Sequence, residues 1–419
     1  MKKIIIILFI SVFYISESYA QRNYAQELIN LLVEGRCFEA KEFFNQHSDM
    51  LPHDNRAFEL LYKLNMARFF NKSDSIAIYM EEILANNDYQ LTILGKTTGE
   101  YFRILLNLYS FNQKFNEAIE LCDKMTDYFK RNPFDFDSDL IQKELKLIEK
   151  EKALLKERAI NEPLFKIERS YSEDNKIKLY EDDLIRFDSK YNGVQIETLF
   201  DTGSDHNFFI SKSLADEIGV REIKRSPEDI KVNINGVEEK AYEGMIDSIE
   251  IKTIKFYNVP VLVYLGNLKQ YMPDSLAGEA KANAERAYKE RQIIMGLRII
   301  NLIGKIEIDW DNNTISFPET GESENDNSVY KNIFMLDNKL YMHMDLNELS
   351  FSGCLNTGYN DFINLSRSFY EKNKSSFIDK ESIVKELSNS LDGILGIVLL
   401  KNLKPKAIID FQNMVIRPE

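Results

Sequence analysis

Thr198-Leu199-Phe200-Asp201-Thr202-Gly203-Ser204 ends an apolar, strand-like run on a carboxylate, then adds a hydroxyl, a glycine and a second hydroxyl. A strand that stops on an acid presents that acid at a tight turn. Gly203 lets the backbone approach closely or take a positive φ. The hydroxyls of Thr202 and Ser204 are donors placed to orient the carboxylate. Alone, the tripeptide is a weak signal, because the same residues close ordinary turns. The flanks strengthen it. Phe208 to Gly219 reads as a short helix closed by glycine. Ile293-Ile294-Met295-Gly296-Leu297-Arg298-Ile299-Ile300 reads as an apolar strand with a central glycine, and Ile306 to Phe317 as strand–turn–strand.

The end of the chain repeats this order. Asn356-Thr357-Gly358-Tyr359-Asn360-Asp361 and its continuation to Phe369 lie under Asp201 to Leu214 without a gap. Thr, Gly and both later Ser positions coincide. Gly393-Ile394-Leu395-Gly396 then matches the strand at Gly296, and Ile409-Asp410 through Asn413 to Ile416 matches Ile308-Asp309 through Asn312 to Ile315. Asp201 and Gly296 are 95 positions apart, Asn356 and Gly396 only 40, so the second copy is shortened. Other strand-like runs begin at Ile177, Val194, Lys231, Ile249 and Val259, and Asn235-Gly236 between two of them is a strong hairpin turn. Residues 273–288, rich in Ala, Glu, Lys and Arg, predict a helical insertion beside the site.

Residues 165–318 resemble the retropepsin-like aspartic peptidases. That family shows an apolar pair before Asp-Thr-Gly, a flap hairpin, and an apolar pair before a later glycine, and all three occur here in order. The resemblance implies two fused lobes, 165–318 and a shortened one at 329–419. It places Asp201 as the catalytic acid, with Thr202, Gly203, Ser204, Thr357 and Gly358 as supporting turn residues. The flap would run through Asn235, Gly236 and Tyr242.

Aspartic peptidases set two carboxylates about 3 Å apart to share one proton, since both cannot ionise at that distance. The second lobe departs from the family here, because Asn356 stands where the resemblance calls for the second acid. An amide has nearly the same shape but neither takes up nor gives the catalytic proton. Two functional readings are open. One is an exported endopeptidase cutting extended peptide segments through Asp201, by dimerisation or with another carboxylate near Asn356; Asp361, five residues on, is a poor candidate. The other is an inactive pseudo-peptidase that holds a peptide or protein partner. A plain β scaffold is a weaker third, given the ungapped repeat.

The rest of the chain sets bounds. It has 419 residues, with 53 Lys and Arg against 67 Asp and Glu, and a net charge of −14. That excess acidity argues against nucleic acid as a partner. Residues 22–160 hold only Gly35, Gly95 and Gly99 among the 17 glycines, and their three- and four-residue apolar spacing predicts helices. Three similar turns precede Ala40, Ala77 and Ala118, which suggests either a tetratricopeptide-like array or an irregular bundle. Either one is a platform for a protein partner. The expected fold class is therefore α+β and multidomain: a helical repeat or bundle, then a mostly β, two-lobed acid-protease fold.

Lys2-Lys3, an apolar run from Ile4 to Tyr14, and Ser18-Tyr19-Ala20 together predict a signal peptide over residues 1–20. The mature protein would be secreted or periplasmic and free of the membrane. Cys37, Cys122 and Cys354 are too few for a disulfide framework; they read as buried thiols, with a Cys37–Cys122 pair the alternative. His47, His53, His206 and His343 show no metal-ligand spacing and read as solvated, and no metal or cofactor is expected.

Overall fold

The computed structural model describes residues 19–52, 55–131, 138–170, 175–181, 183–225, 230–234, 237–266, 292–319, 331–346, 349–377, 384–385, 391–403 and 405–418. The predicted signal segment and the predicted helix at 273–288 thus lie wholly or mostly outside the described residues. The chain divides into two compact units, Met1–Glu162 with Phe334–Leu336, and Pro163–Ile333 with Asp337–Glu419.

The first unit is helical. Its helices include Tyr19–Val33, Cys37–Gln46, Arg56–Phe69, Ser73–Ala85, Thr98–Phe111, Phe115–Arg131 and Ser138–Asn161. Three helix–turn–helix units share one turn. Gly35, Asn71 and Gln113 take positive φ of 75°, 53° and 55°. The next residue's N–H then reaches back to Leu31, Ala67 and Tyr109 at 2.9, 2.8 and 2.9 Å. These bonds satisfy carbonyls that the ending helix leaves open. The following helix begins two residues past each left-handed residue. Ala40, Ala77 and Ala118 are buried, where a small side chain lets neighbouring helices approach. No helix among the described residues is long and apolar enough to cross a membrane. Cys37, Cys122 and Cys354 are free and buried. Burial, the largest cause, pushes the Cys122 thiol up to about 12 and that of Cys354 to about 11.

The second unit is mostly β, with a nine-stranded, a six-stranded and a five-stranded sheet among the described residues. The nine-stranded sheet carries the Asp201 strand, Val194–Asp201, and the six-stranded sheet carries the Asn356 strand, Leu349–Asn356. In the nine-stranded sheet, Val194–Asp201 pairs in parallel with Gln292–Gly296, and Gly296 stands beside Asp201. In the six-stranded sheet, Leu349–Asn356 pairs in parallel with Gly393–Gly396, and Gly396 stands beside Asn356. The five-stranded sheet joins the two. Its central pair is Lys305–Asp309 antiparallel to Lys406–Asp410, with Glu307 opposite Ile408. Each of these strands enters a hairpin closed by an acid: Asp309 accepts from the Asn312 N–H and side-chain amide, and Asp410 does the same for Asn413, all at 2.9–3.0 Å.

Two segments differ from the sequence expectation. Phe208–Ser211 is a strand, and the helix starts only at Lys212. The Ser211 hydroxyl caps it by accepting from the Leu214 N–H at 3.3 Å, and Ser366 does the same for Phe369. The apolar run at Gly296 is not one strand with a central glycine. The strand ends at Gly296 and a helix covers Leu297–Ile303; likewise Ile397–Lys401 is helical after Gly396. The isoleucines there favour strand locally, but burial of Leu297, Ile299, Ile300 and Ile303 on one core overrides that preference.

Candidate active site

Each turn is held by the segment that follows it. The Leu297 N–H donates to the Ser204 carbonyl at 2.7 Å, and the Ile397 N–H donates to the Tyr359 carbonyl at 2.9 Å. The Gly296 and Gly396 N–H groups reach the carbonyls of Asn207 and Phe362. Both glycines are required by space. A Cβ on Gly296 would lie 2.2 Å from the His206 carbonyl oxygen, and one on Gly396 would lie 2.2 Å from that of Asp361. The ungapped repeat in sequence is therefore a repeated interlock in space.

The two turns meet through their threonines. The Thr202 hydroxyl donates to the Leu355 carbonyl at 2.8 Å and accepts from the Thr357 N–H at 3.1 Å. The Thr357 hydroxyl donates to the Phe200 carbonyl at 2.9 Å and accepts from the Thr202 N–H at 3.0 Å. Both threonines are at most 1% exposed. Four mutual hydrogen bonds in a buried place fix the separation of the two strand ends, because breaking any of them strands a polar group away from water.

That frame brings Asp201 and Asn356 together. The Gly203 N–H donates to Asp201 Oδ1 at 2.8 Å. The Gly358 N–H donates both to Asp201 Oδ1 at 3.2 Å and to Asn356 Oδ1 at 2.9 Å. A Cβ on Gly203 would lie 2.4 Å from the Asn356 side-chain Cγ and Nδ2, and one on Gly358 would lie 2.7 Å from the Asp201 carboxyl. Each side chain thus rests on the opposite turn's glycine. Asp201 keeps a little solvent access but is surrounded by protein. Burial, the largest influence, raises its pKa, and the two glycine N–H groups only partly offset this.

The remaining sequence candidates fall as follows. The hydroxyl expected to orient the carboxylate does not do so at Thr202: it bonds the Leu355 carbonyl, and glycine N–H groups hold Asp201 instead, while Ser204 contributes its carbonyl to the interlock. Asn235 and Gly236, the flap turn, lie outside the described residues, but the hairpin they join is present: Ile230–Ile234 pairs antiparallel with Val237 to Ala241. Ile230, Val232 and Ala241 pack with Phe209, Leu262, Tyr264 and Ile294. Tyr242 pairs with Val263, and the charges around it are Lys212, Asp216 and Glu222. Asp361 binds the Phe362 N–H at 2.8 Å and the Asn364 amide at 3.1 Å, so it does not serve as a second acid beside Asp201.

The described histidines keep partial solvent access, as the solvated expectation had it, but each also packs against a neighbour. His206 stacks on Phe209 at 5.9 Å, and Phe209 stacks on Tyr264 at 4.5 Å. Burial lowers the His206 pKa, opposed by Asp205 and assisted by Arg298. His343 Nδ1 lies 3.1 Å from the Ser352 hydroxyl, and His47 packs against Tyr24 and Phe43. His53 is outside the described residues. The only sequence sign of the His206 stack was its position five residues past Asp201. Among the described residues no His, Cys, Asp and Glu group is arranged to hold a metal.

Comparison with curated proteins gives no match. Among solved structures, the chain is similar to a retropepsin-like aspartic protease from Rickettsia conorii, at 16% identity and TM-score 0.19, over 33% of this chain and 80% of that one. The fold rests on the interlocked turns and paired sheets rather than on that likeness. The family model described as aspartyl protease matches residues 187–278, which contain the Asp201 turn and the hairpin that follows it. The second unit has a retropepsin-like aspartic-protease fold, preceded in the chain by a helical unit.

Proposed function

We propose that this chain is an exported peptide-binding protein of the aspartic-protease fold, which as translated holds an extended segment at Asp201 and Asn356 without cutting it. The observation that carries this reading is the partner of Asp201. The threonine frame is complete, and the side chain resting on Gly203 is the amide of Asn356. Without a second carboxyl no proton is shared: Asp201 remains as a base, but the protonated acid that polarises the scissile carbonyl of a bound peptide is missing. Extended peptides suit such a fold, because strand addition supplies main-chain hydrogen bonds without side-chain chemistry. The hairpin from Ile230 to Ala241, seated on Phe209, Leu262 and Tyr264, is the natural cover.

A second reading keeps the endopeptidase. It is favoured by the burial of Asp201, which raises its pKa and lets the carboxyl hold a proton more readily than a free one does. One experiment separates them. Freshly purified wild type, Asp201→Ala and Asn356→Asp are given an unstructured protein from acidic to neutral pH, and peptide binding is followed by fluorescence anisotropy. Binding without cutting by wild type, with cutting by Asn356→Asp, fits the first reading. Immediate cutting by wild type that Asp201→Ala abolishes replaces it with the second.

The helical unit, with its three repeated turns, is read as a tetratricopeptide-like platform for a protein partner. Export follows from the leader over residues 1–20. Its check is N-terminal sequencing of the secreted product, which should begin at Gln21.

A further inference from the structure

We propose that Asn356 is a self-modification site, whose side-chain amide is hydrolysed to a carboxyl by water activated at Asp201. The inference deepens the reading above, because it rests on Asp201 acting as a base at the Asn356 position. The machinery of an amide-hydrolysing fold has an amide built into it as one of its own residues.

Three features of the geometry support the step. First, the amide and the acid are held on facing turns. Asn356 rests on Gly203, Asp201 rests on Gly358, and both Oδ1 atoms accept from the one Gly358 N–H. That fixed proximity replaces a bimolecular encounter. Second, the Gly358 N–H on Asn356 Oδ1 polarises the amide carbonyl and is already placed for the negative charge that develops on that oxygen. Third, the ordinary route of asparagine loss is obstructed. That route needs the following backbone nitrogen, here Thr357 N, to attack the side-chain Cγ and form a cyclic imide. The Thr357 N–H is instead committed to the buried Thr202 hydroxyl at 3.1 Å, in the frame that fixes both turns.

The step balances. The Asp201 carboxylate takes a proton from water while the water oxygen bonds to Asn356 Cγ. The Cγ–Nδ2 bond then breaks, the nitrogen recovers the proton from Asp201, and ammonia leaves. One water is consumed and one carboxyl appears, with no change in oxidation state. The product has nearly the shape of the amide, so the threonine frame accepts it. It leaves two acids on facing turns, the arrangement in which one proton is shared.

The test is peptide mapping by mass spectrometry of the segment holding residue 356, in fresh protein and after days of incubation. Wild type should show amide-to-acid conversion at residue 356, with normal aspartate as the product. Asp201→Asn, which keeps the size of the side chain, should convert at least about a hundredfold more slowly, the usual scale of a lost general base. An amide that survives unchanged in wild type overturns the proposal, and so does equal conversion in the two proteins. If Asp201→Asn does not fold, the isomer formed in wild type decides alone. The cyclic imide opens to a mixture dominated by isoaspartate, so isoaspartate at residue 356 rules out direct hydrolysis. Peptide binding by fresh protein is scored separately. Binding with a stable amide defeats only this inference, and conversion without binding defeats only the function proposed above.

Discussion

Thr202 and Thr357 hold each other by backbone and side chain at once: each hydroxyl accepts the other's N–H and donates to the carbonyl just before the facing acid or amide. The frame is therefore symmetric although its occupants, Asp201 and Asn356, are not. Removing one hydroxyl leaves a buried N–H and a buried carbonyl without partners. Thr357→Val should cost roughly 2–4 kcal/mol, taking about 1–3 kcal/mol for each buried group left unpaired and allowing partial relaxation. Thr357→Ser, which loses only a methyl, should cost about 1 kcal/mol. Urea unfolding of the two variants measures the difference; equal losses would show that the hydroxyl bonds do not matter.

Gly296→Ala and Gly396→Ala should be comparably damaging. In each case the new Cβ meets a main-chain carbonyl, which is not a flexible side-chain tip and has nowhere to swing. Overpacking of this kind costs about 3 kcal/mol. Thermal unfolding should show both losses. A harmless Gly396→Ala would mean that the second turn is not interlocked as the first is.

The raised pKa of Asp201 fixes the sign of a pH effect. Burial makes the folded protein hold this proton more tightly than the unfolded chain does. The stabilising share of that proton is full below the unfolded value, about 3.9, and is lost as pH rises through the folded value. Asp201→Asn has no such loss. Its melting temperature should therefore rise relative to wild type as pH increases above about 4, levelling off once the folded carboxyl is ionised. A gap that narrows over that range would contradict burial as the dominant influence.

Asn356→Asp should create the largest gain of activity of any single exchange. It swaps an NH₂ for an oxygen with hardly any change in volume, inside a frame already complete. Two acids forced together titrate as a pair, one pushed up and one down. Cleavage of an unstructured protein should then follow a bell-shaped pH profile with an acidic optimum. A folded Asn356→Asp that cuts nothing would show that the facing turns are not spaced for a shared proton.

The site was legible where one residue type satisfies one physical demand. Asp-Thr-Gly and Asn-Thr-Gly could be laid together because the threonine frame tolerates little else, and Gly296 stood out because a carbonyl passes where its side chain would be. What the sequence hid depends on distant packing. Leu297 to Ile303 looks like strand from its isoleucines and is helix because of the core it meets. The three turns before Ala40, Ala77 and Ala118 could be aligned, but the left-handed residue was plain only at Gly35 and Asn71, because Gln113 has no preference for that conformation. The stack of His206 on Phe209, which itself stacks on Tyr264, depends on a strand more than fifty residues away and, beyond its closeness to Asp201, had no mark in the local sequence.

The joint between Lys305–Asp309 and Lys406–Asp410 has a consequence for assembly. A strand edge left open recruits another chain. Here each lobe fills the other's edge from within one polypeptide, in a register centred on Glu307 and Ile408. A first lobe cut free of the second would leave the Lys305–Asp309 edge open to another strand. The tether thus acts as a lock on stoichiometry: it guarantees that every acid at this site faces the residue encoded at 356, and that the fate of that one side chain, not the meeting of two molecules, sets the chemistry.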